Sequence, residues 1–230
     1  MIKLALIIMV FTTYRMLYPH YQKQLKIKRW FRELNLVNHQ KIYDDIFKHT
    51  NGFHLSYNAR GQQDAFEYVY GEIEFVSFIA LLSLVEITEH TIFYDLGSGV
   101  GKAVIACGMV FNIQKSCGIE LFPDLHHVAV NQKNYFSSLA HYQEKAKKIY
   151  FVHGNILDEN IDEATLIFFN ATGFFGSTLE RINKRLEQAI ACKVVITTSK
   201  PLSSEAFVVH QVTQVSMSWG VVNAYIHQRK

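Results

Sequence analysis

The chain has 230 residues, 49% of them apolar and 19% charged, with a formal net charge of +3. That length and apolar content suit one large α/β domain with a small extra element, and they exclude a disordered or repetitive chain, because no low-complexity run or internal period occurs. Three cysteines, Cys107, Cys117 and Cys192, sit singly in apolar runs, which argues against a disulfide framework and favours a reducing, intracellular compartment.

Charge is unevenly spread. Residues 1–60 hold ten Lys/Arg against three Asp/Glu, and residues 61–230 hold thirteen against seventeen. A basic front on a mildly acidic body points to an anionic partner, nucleic acid or a lipid surface, with a solvated helical face as the alternative. Histidines and cysteines form no cluster with ligand spacing. His126 and His127 are adjacent, so on a helix their side chains diverge by about 100° and cannot share an ion. No metal is expected.

Taken in chain order, residues 4–14 carry no charge, between Lys3 and Arg15. A membrane-spanning helix needs about 20 apolar residues, and this stretch is shorter. Three readings stand for residues 1–18: a short membrane or interfacial anchor, a helix packed on the main domain, or a secretory signal, the last without a small-x-small cleavage site. Pro19 is expected to end this helix. Residues 21–50 are predicted helical, with Lys23, Lys26, Lys28, Arg29 and Arg32 near Trp30 and Phe31. The basic stretch 23–32 suits contact with nucleic acid or with anionic lipid. Gly52, Asn58, Gly61, Gln62 and Gln63 predict a polar loop. Regular alternation follows: helix over 73–85, strand over 92–96, helix over 100–111, strand over 117–121, one long helix over 124–147. Strands at 149–153 and 166–170, a helix at 178–190 and a strand at 194–198 come next. Two strand-like runs, 207–215 and 221–227, close the chain with no helix between them. This order predicts an α/β fold: a doubly wound, seven-stranded Rossmann-like methyltransferase sheet with a C-terminal antiparallel hairpin and a small N-terminal helical element. The expected divisions are 1–18, a basic helical stem and loop over 19–65, and a catalytic domain over 66–230.

The run Asp95-Leu96-Gly97-Ser98-Gly99-Val100-Gly101-Lys102 follows a predicted strand and opens a predicted helix, the context in which a glycine loop binds a ligand. Its G-x-G-x-G spacing differs from the G-x-G-x-x-G of dinucleotide folds. Ala103 after Lys102 breaks the G-K-[ST] ending of a phosphate-gripping loop. Asp95 at the head would repel a pyrophosphate and accept from an ammonium. The expected ligand therefore has an adenosine and an amino-acid portion and no phosphate, as S-adenosylmethionine does. Glu120 ends the next strand, near the roughly 20-residue offset of a ribose-binding acid. Gly154-Asn155-Ile156, after the third strand, is placed to serve the adenine. A glycine loop alone can be a structural turn, but the placement of Glu120 and Asn155 argues against that here.

The remaining motifs resemble those of the DOT (disruptor of telomeric silencing) family of histone-lysine methyltransferases. Val69-Tyr70-Gly71-Glu72 is similar to the family's V-Y-G-E, and Asp95 to Gly101 is similar to its D-L-G-S-G-V-G, with Lys102 where Gln is usual. Gly118-Ile119-Glu120, Leu166-Ile167-Phe168-Phe169-Asn170 and Ser199-Lys200-Pro201 resemble its G-V-E, V-I-F-V-N and S-K-P. Ser218-Trp219 and Tyr225-Ile226-His227 resemble its closing S-W and Y-Y-L-H. The departures fall on the acceptor side and at the adenine. Asn155 stands where the family has Asp, Asn170-Ala171-Thr172-Gly173-Phe174-Phe175 replaces N-N-F-A-F, and Ala224-Tyr225 replaces a tyrosine pair.

The resemblance implies transfer of a methyl group from S-adenosylmethionine to a lysine ε-amine of a core histone, with the nucleosome as partner. It implies cofactor contacts from Tyr70, Glu72, Asp95, Gly97, Ser98, Gly99, Gly101, Lys102, Glu120, Asn155, Ile156 and Asn170. It assigns an aromatic acceptor channel to Tyr70, Phe174 or Phe175, Trp219 and Tyr225, with Asn170 orienting the amine or the cofactor. Such a channel would lower the lysine pKa by desolvation. Each aromatic could instead be ordinary packing. Two other functions stay open: a membrane-anchored methyltransferase of a non-histone protein, and a cofactor-binding interaction module without catalysis. Either a chromatin-associated or a membrane-associated protein fits the basic front.

Overall fold

A computed structural model describes the backbone of residues 2–60 and 70–230 and the side chains of residues 18–59 and 70–230. The chain forms two compact units, residues 1–41 and residues 42–230.

The first unit is dominated by α1 (Ile2–Glu33), which runs unbroken through Pro19. The expected stop at Pro19 is thereby corrected. Proline removes one N–H from the ladder, but no Gly, Asn or Ser follows it to divert the backbone. The break comes instead at Asn35, whose φ of +49 is left-handed, a conformation that asparagine tolerates better than most residues. The Asn35 Oδ1 accepts from Asn38 Nδ2 at 2.8 Å, and α2 (Leu36–Phe47) starts there. Residues 18–29 of α1 are exposed on nearly every face. The side chains of residues 1–17, on which the three readings of the apolar start fall, lie outside the described residues. Among the described residues no helix is long and apolar enough to cross a membrane.

In the second unit, α3 (Gly52–Arg60) replaces part of the expected polar loop; Gly61, Gln62 and Gln63 lie outside the described residues. The signal was Asn51, whose Oδ1 accepts the His54 N–H at 3.0 Å and caps the helix. The end of α2 and α3 belong with the larger unit, ahead of the expected boundary at 65/66. Tyr43 stacks on Phe75 at 4.7 Å, Tyr135 donates to Asp45 at 2.6 Å and Gln132 donates to Thr50 at 2.7 Å.

Then come α4 (Phe75–Leu82), β1 (Ile92–Leu96), α5 (Lys102–Val110), β2 (Lys115–Glu120), α6 (Pro123–Ser138), α7 (Gln143–Ala146), β3 (Ile149–His153), β4 (Leu166–Asn170), α8 (Gly176–Gln188), β5 (Val194–Thr198), β6 (Phe207–Met217) and β7 (Gly220–Arg229). The long helix expected over 124–147 is two helices joined by a 3-10 turn. Ser137 and Ser138 turn their hydroxyls back onto the carbonyls of Asn134 and Tyr135, both at 2.7 Å, and Leu139 is extended. Serine hydroxyls that compete for backbone carbonyls in this way weaken a helix end.

The seven strands lie in the order β3-β2-β1-β4-β5-β7-β6. The first five are parallel, β7 runs antiparallel between β5 and β6, and β6 forms the edge. The inner parallel strands β1, β2, β4 and β5 are buried on both faces, which is why LIFFN and VVITT read as continuous apolar runs. One face packs Leu96, Ile119, Ile167, Phe169 and Val195 against Ile182 and Leu186 of α8. On the other, Phe78 of α4 meets Phe93 and Phe168 edge-on at 6.1 and 5.2 Å. Arg229, at the end of β7, donates to the carbonyls of Ala189 at 2.7 Å and Cys192 at 2.6 Å, filling acceptors left open at the end of α8.

Candidate active site

The C-terminal edge of the parallel strands is where open α/β sheets bind ligands. Here that edge holds a cavity of about 350 Å³. Its walls come from the ends of β1, β2 and β4, the loops after β1 and β3, residues 70–73, α8 and Met217.

The glycine loop sets the floor. Gly97, Gly99 and Gly101 have φ of +83, +54 and +86. The N–H groups of Gly97 and Ser98 donate to Ile119 O at 2.9 and 3.0 Å, tying the loop to β2. At Gly99 a Cβ would stand 2.6 Å from Tyr70 Cε2, so the Tyr70 ring needs glycine there. Gly101 does not line the cavity; it backs onto Phe151 and Ala129 beneath the loop. The Ser98 hydroxyl is buried against Gly118, with no hydrogen-bond partner among the described residues.

Two carboxylates stand side by side at the strand ends. Asp95 is buried, and no donor among the described residues reaches it. Burial first, then the charge of Glu120, pushes its pKa up to about 8. Glu120 is also raised by burial, but its two oxygens accept from Gly99 N at 2.7 Å and Phe122 N at 2.9 Å, which favours its charged form. The two acids therefore differ: Glu120 is an oriented acceptor, whereas Asp95 accepts from no donor among the described residues.

Asn155 and Ile156 line the far end with Leu121, Phe122 and Leu125. The Asn155 Oδ1 accepts the Leu157 N–H at 3.0 Å, which holds the turn after β3.

The segment Tyr70 to Ile73 forms another wall. The Tyr70 hydroxyl donates to Glu72 Oε1 at 2.7 Å, and Lys102 donates to Glu72 Oε2 at 2.5 Å. Phe53 of α3 meets the Tyr70 ring edge-on at 5.3 Å. Burial, then the charge of Glu72, raises the Tyr70 pKa well above its ordinary value, so the hydroxyl stays a donor. Val69, the first residue of the motif, lies outside the described residues.

At the end of β4, the Asn170 Oδ1 accepts from Thr198 Oγ1 at 2.7 Å, Thr172 Oγ1 at 2.8 Å and Thr172 N at 3.3 Å. The Thr172 N–H can only donate, so this side of the amide is its oxygen. Nδ2 remains uncommitted among the described residues. Phe174 lines the cavity and packs on Phe169 at 4.9 Å.

Two aromatics expected in the acceptor channel stand elsewhere. Trp219 is not in the cavity wall; it stacks over Gly71 from outside. Tyr225 pairs with Thr197 of β5 and Val212 of β6. Because β7 is antiparallel, the cavity edge falls at Asn223 and Ala224, and Tyr225 lies below it. Phe175 is exposed, with Lys200 Nζ 3.1 Å from its ring centre.

Motif spacing missed the clamp behind Asn170. Lys200 donates to the carbonyls of Thr172 at 3.0 Å and Phe174 at 2.7 Å. Ser199, with a left-handed φ of +66, bonds Thr172 Oγ1 at 2.7 Å. The Ser199-Lys200-Pro201 run was visible as a motif, but nothing local tells which loop it holds. Thr178 and Arg181 of α8 and Met217 of β6 also line the cavity and had no sequence signal.

The family model described as "Histone methylation protein DOT1" matches residues 57–224. The chain belongs to this family. A histone-lysine N-methyltransferase, H3 lysine-79 specific, of Caenorhabditis elegans is 30% identical over 141 residues, 59% of this chain and 15% of that protein. One of the same description from Candida glabrata is 25% identical over 156 residues, 64% of this chain and 24% of that protein. The DOT1-family chain thus spans under a quarter of the length of either curated relative. Its fold is similar to the solved mitomycin 7-O-methyltransferase MmcR, with a TM-score of 0.53, 14% identity, 79% of this chain and 61% of that one covered. The sheet is therefore the Rossmann-like sheet of methyltransferases.

Proposed function

We propose that this chain is an S-adenosylmethionine-dependent protein-lysine N-methyltransferase acting on a histone lysine. The observation that carries the reading is the pairing of Asp95 and Asn170 at neighbouring strand ends of one cavity: among the described residues, a buried acid without a donor, and an amide with its oxygen fixed and its NH2 uncommitted. The cavity fits the cofactor. Asp95 or Glu72 would accept from its ammonium, Lys102 would meet its carboxylate, and Glu120 would accept from the ribose hydroxyls. Asn155 and Ile156 would flank the adenine with Leu121 and Phe122, and the bare Gly97 backbone leaves room beside the loop.

When bound, the cofactor supplies a methyl group on a sulfonium centre, open to attack by an amine. The chain's own residues do the rest. Tyr70 and Phe174 exclude water and favour the neutral form of the acceptor amine by desolvation. Asn170 orients the amine through its amide, held by Thr172 and Thr198, and Lys200 fixes the loop that carries Phe174. Alignment of this kind is worth about 7–11 kcal/mol of barrier. The histone assignment is supported by the family and by the description of the curated relatives.

A second reading, membrane-associated methylation of a non-histone protein, is favoured by one observation. Helix α1 carries the uncharged residues 4–14 and the exposed Lys23, Lys26, Lys28, Arg29 and Arg32 on one continuous axis. On either reading residues 23–32 meet an anionic surface, nucleosomal DNA in the first and lipid headgroups in the second.

The test is transfer of radiolabelled methyl groups to nucleosomes, free core histones and whole lysate, with Gly99→Arg as the control. Label on a histone in the parent and none in the control supports the reading. Equal label from both forms sinks it, and label only on lysate proteins moves the substrate to the second reading.

A further inference from the structure

Trp219 lies outside the cavity, yet its ring lies against Gly71, a residue of the cavity wall. The strap from Tyr70 to Glu74 docks on the end of β6 and the β6–β7 turn through one antiparallel bridge and flanking hydrogen bonds. Ile73 bridges to Met217, Ser218 N donates to Glu72 O at 2.8 Å, Glu72 N donates to Ser218 Oγ at 3.1 Å, and Glu74 N donates to Ser216 O at 3.0 Å. Trp219, the next residue of the turn, lays its ring on Gly71. A Cβ at position 71 would stand inside the indole, so only glycine admits this contact. On the strap's inner side, Tyr70 rests on Gly99 and Glu72 bonds Tyr70 and Lys102. The indole thus presses from outside on the one residue between two that face the cofactor cavity.

We infer that Trp219 is a positioning residue: it holds the strap in its closed place over the cavity and thereby sets the affinity for the cofactor. The inference rests on the reading of the cavity as the cofactor site. Its own content is mechanical. Without the indole the strap can still form its backbone bonds but opens them more often, and the closed state is less populated. Apparent affinity falls in proportion to the closed fraction. Trp219 is 44% exposed, so its loss removes little core packing.

The chain has two tryptophans, Trp30 and Trp219, so a Trp30→Phe background makes the indole emission report the strap alone. In that background, S-adenosylhomocysteine is expected to shift the Trp219 emission. Trp219→Ala is expected to raise the Kd for S-adenosylhomocysteine about tenfold or more, while Trp219→Phe, which keeps a ring over Gly71, stays within about threefold. In the unliganded protein Trp219→Ala should speed amide exchange at Glu72 and Glu74 with a melting temperature close to the parent's. Gly71→Ala should reproduce the loss of affinity. Unchanged affinity and unchanged exchange in Trp219→Ala overturn the inference and leave the cofactor reading standing. A parent protein that does not bind S-adenosylhomocysteine at all overturns the cofactor reading itself. If Trp219→Ala does not fold, an emission that is indifferent to ligand in the Trp30→Phe protein decides against the inference.

Discussion

Asp95 and Asn170 face one cavity with opposite demands. With its pKa near 8, against an ordinary 3.8, Asp95 holds a proton in the folded protein that the unfolded chain has lost. Its contribution to stability is complete below about pH 4 and is lost as pH rises through 8. Asp95→Asn abolishes that loss. At pH 8.5 its melting temperature should exceed the parent's by about 3 °C or more, a shift set by roughly 1 kcal/mol or more at this chain length. At the same time S-adenosylhomocysteine binding should fall by about 100-fold, because the ligand ammonium loses its counter-charge. Thermal melts and titration calorimetry from pH 5 to 8.5 check both, and parent affinity should rise across that range as Asp95 gives up its proton. Asn170 differs because its oxygen is already spent. Asn170→Asp keeps an acceptor for Thr172 and Thr198 but removes the NH2. Methyl transfer should drop by about 10²-fold, the scale of a misplaced reactant, with cofactor affinity within threefold. Single-turnover rates beside calorimetry would separate the two effects. Asp95 and Glu120 were legible from spacing to the glycine loop. Lys200 was legible as a motif but not as a clamp, because its role depends on the carbonyls of Thr172 and Phe174, which lie on another loop.

At the scale of elements, the strands were read with little error, because a strand buried on both faces is an apolar run bounded by turn residues. The helices were harder. Pro19 was expected to end α1 and does not, while the stop at Asn35 depends on one left-handed residue. The stretch 52–60 looks polar enough for a loop, yet Asn51 caps it into a helix that sets Phe53 on Tyr70. Asn51→Ala should cost about 1 kcal/mol of stability, the usual worth of an N-cap, measurable as a shift in the denaturant midpoint. A shift within error would mean that tertiary contacts alone hold α3.

At the scale of the molecule, every residue that lines the cavity belongs to the unit of residues 42–230. Removal of residues 1–33 should therefore leave S-adenosylhomocysteine affinity within about twofold, while attachment to nucleosomes or anionic vesicles should weaken and lose its steep dependence on salt. Calorimetry, sedimentation with nucleosomes and vesicle flotation at two salt concentrations give the answer. Loss of cofactor binding in the truncated chain would place part of the site in residues 1–33.

The sequence by itself determined the order of strands and helices, the glycine loop and its two acids, and the family. These are local properties: period, turn chemistry and spacing within a few dozen residues. Tertiary structure alone decided which side chains reach the cavity. Glu72 and Ser218 bond across 146 residues, and the antiparallel insertion of β7 sets which of its residues reach the cavity edge. In a strand, one residue of register moves a side chain to the opposite face. The register that sets Ala224 level with Thr198 and Asn170 leaves Tyr225, expected to line the site, one residue below the cavity edge, and the β6–β7 turn carries Trp219 onto Gly71 of the strap.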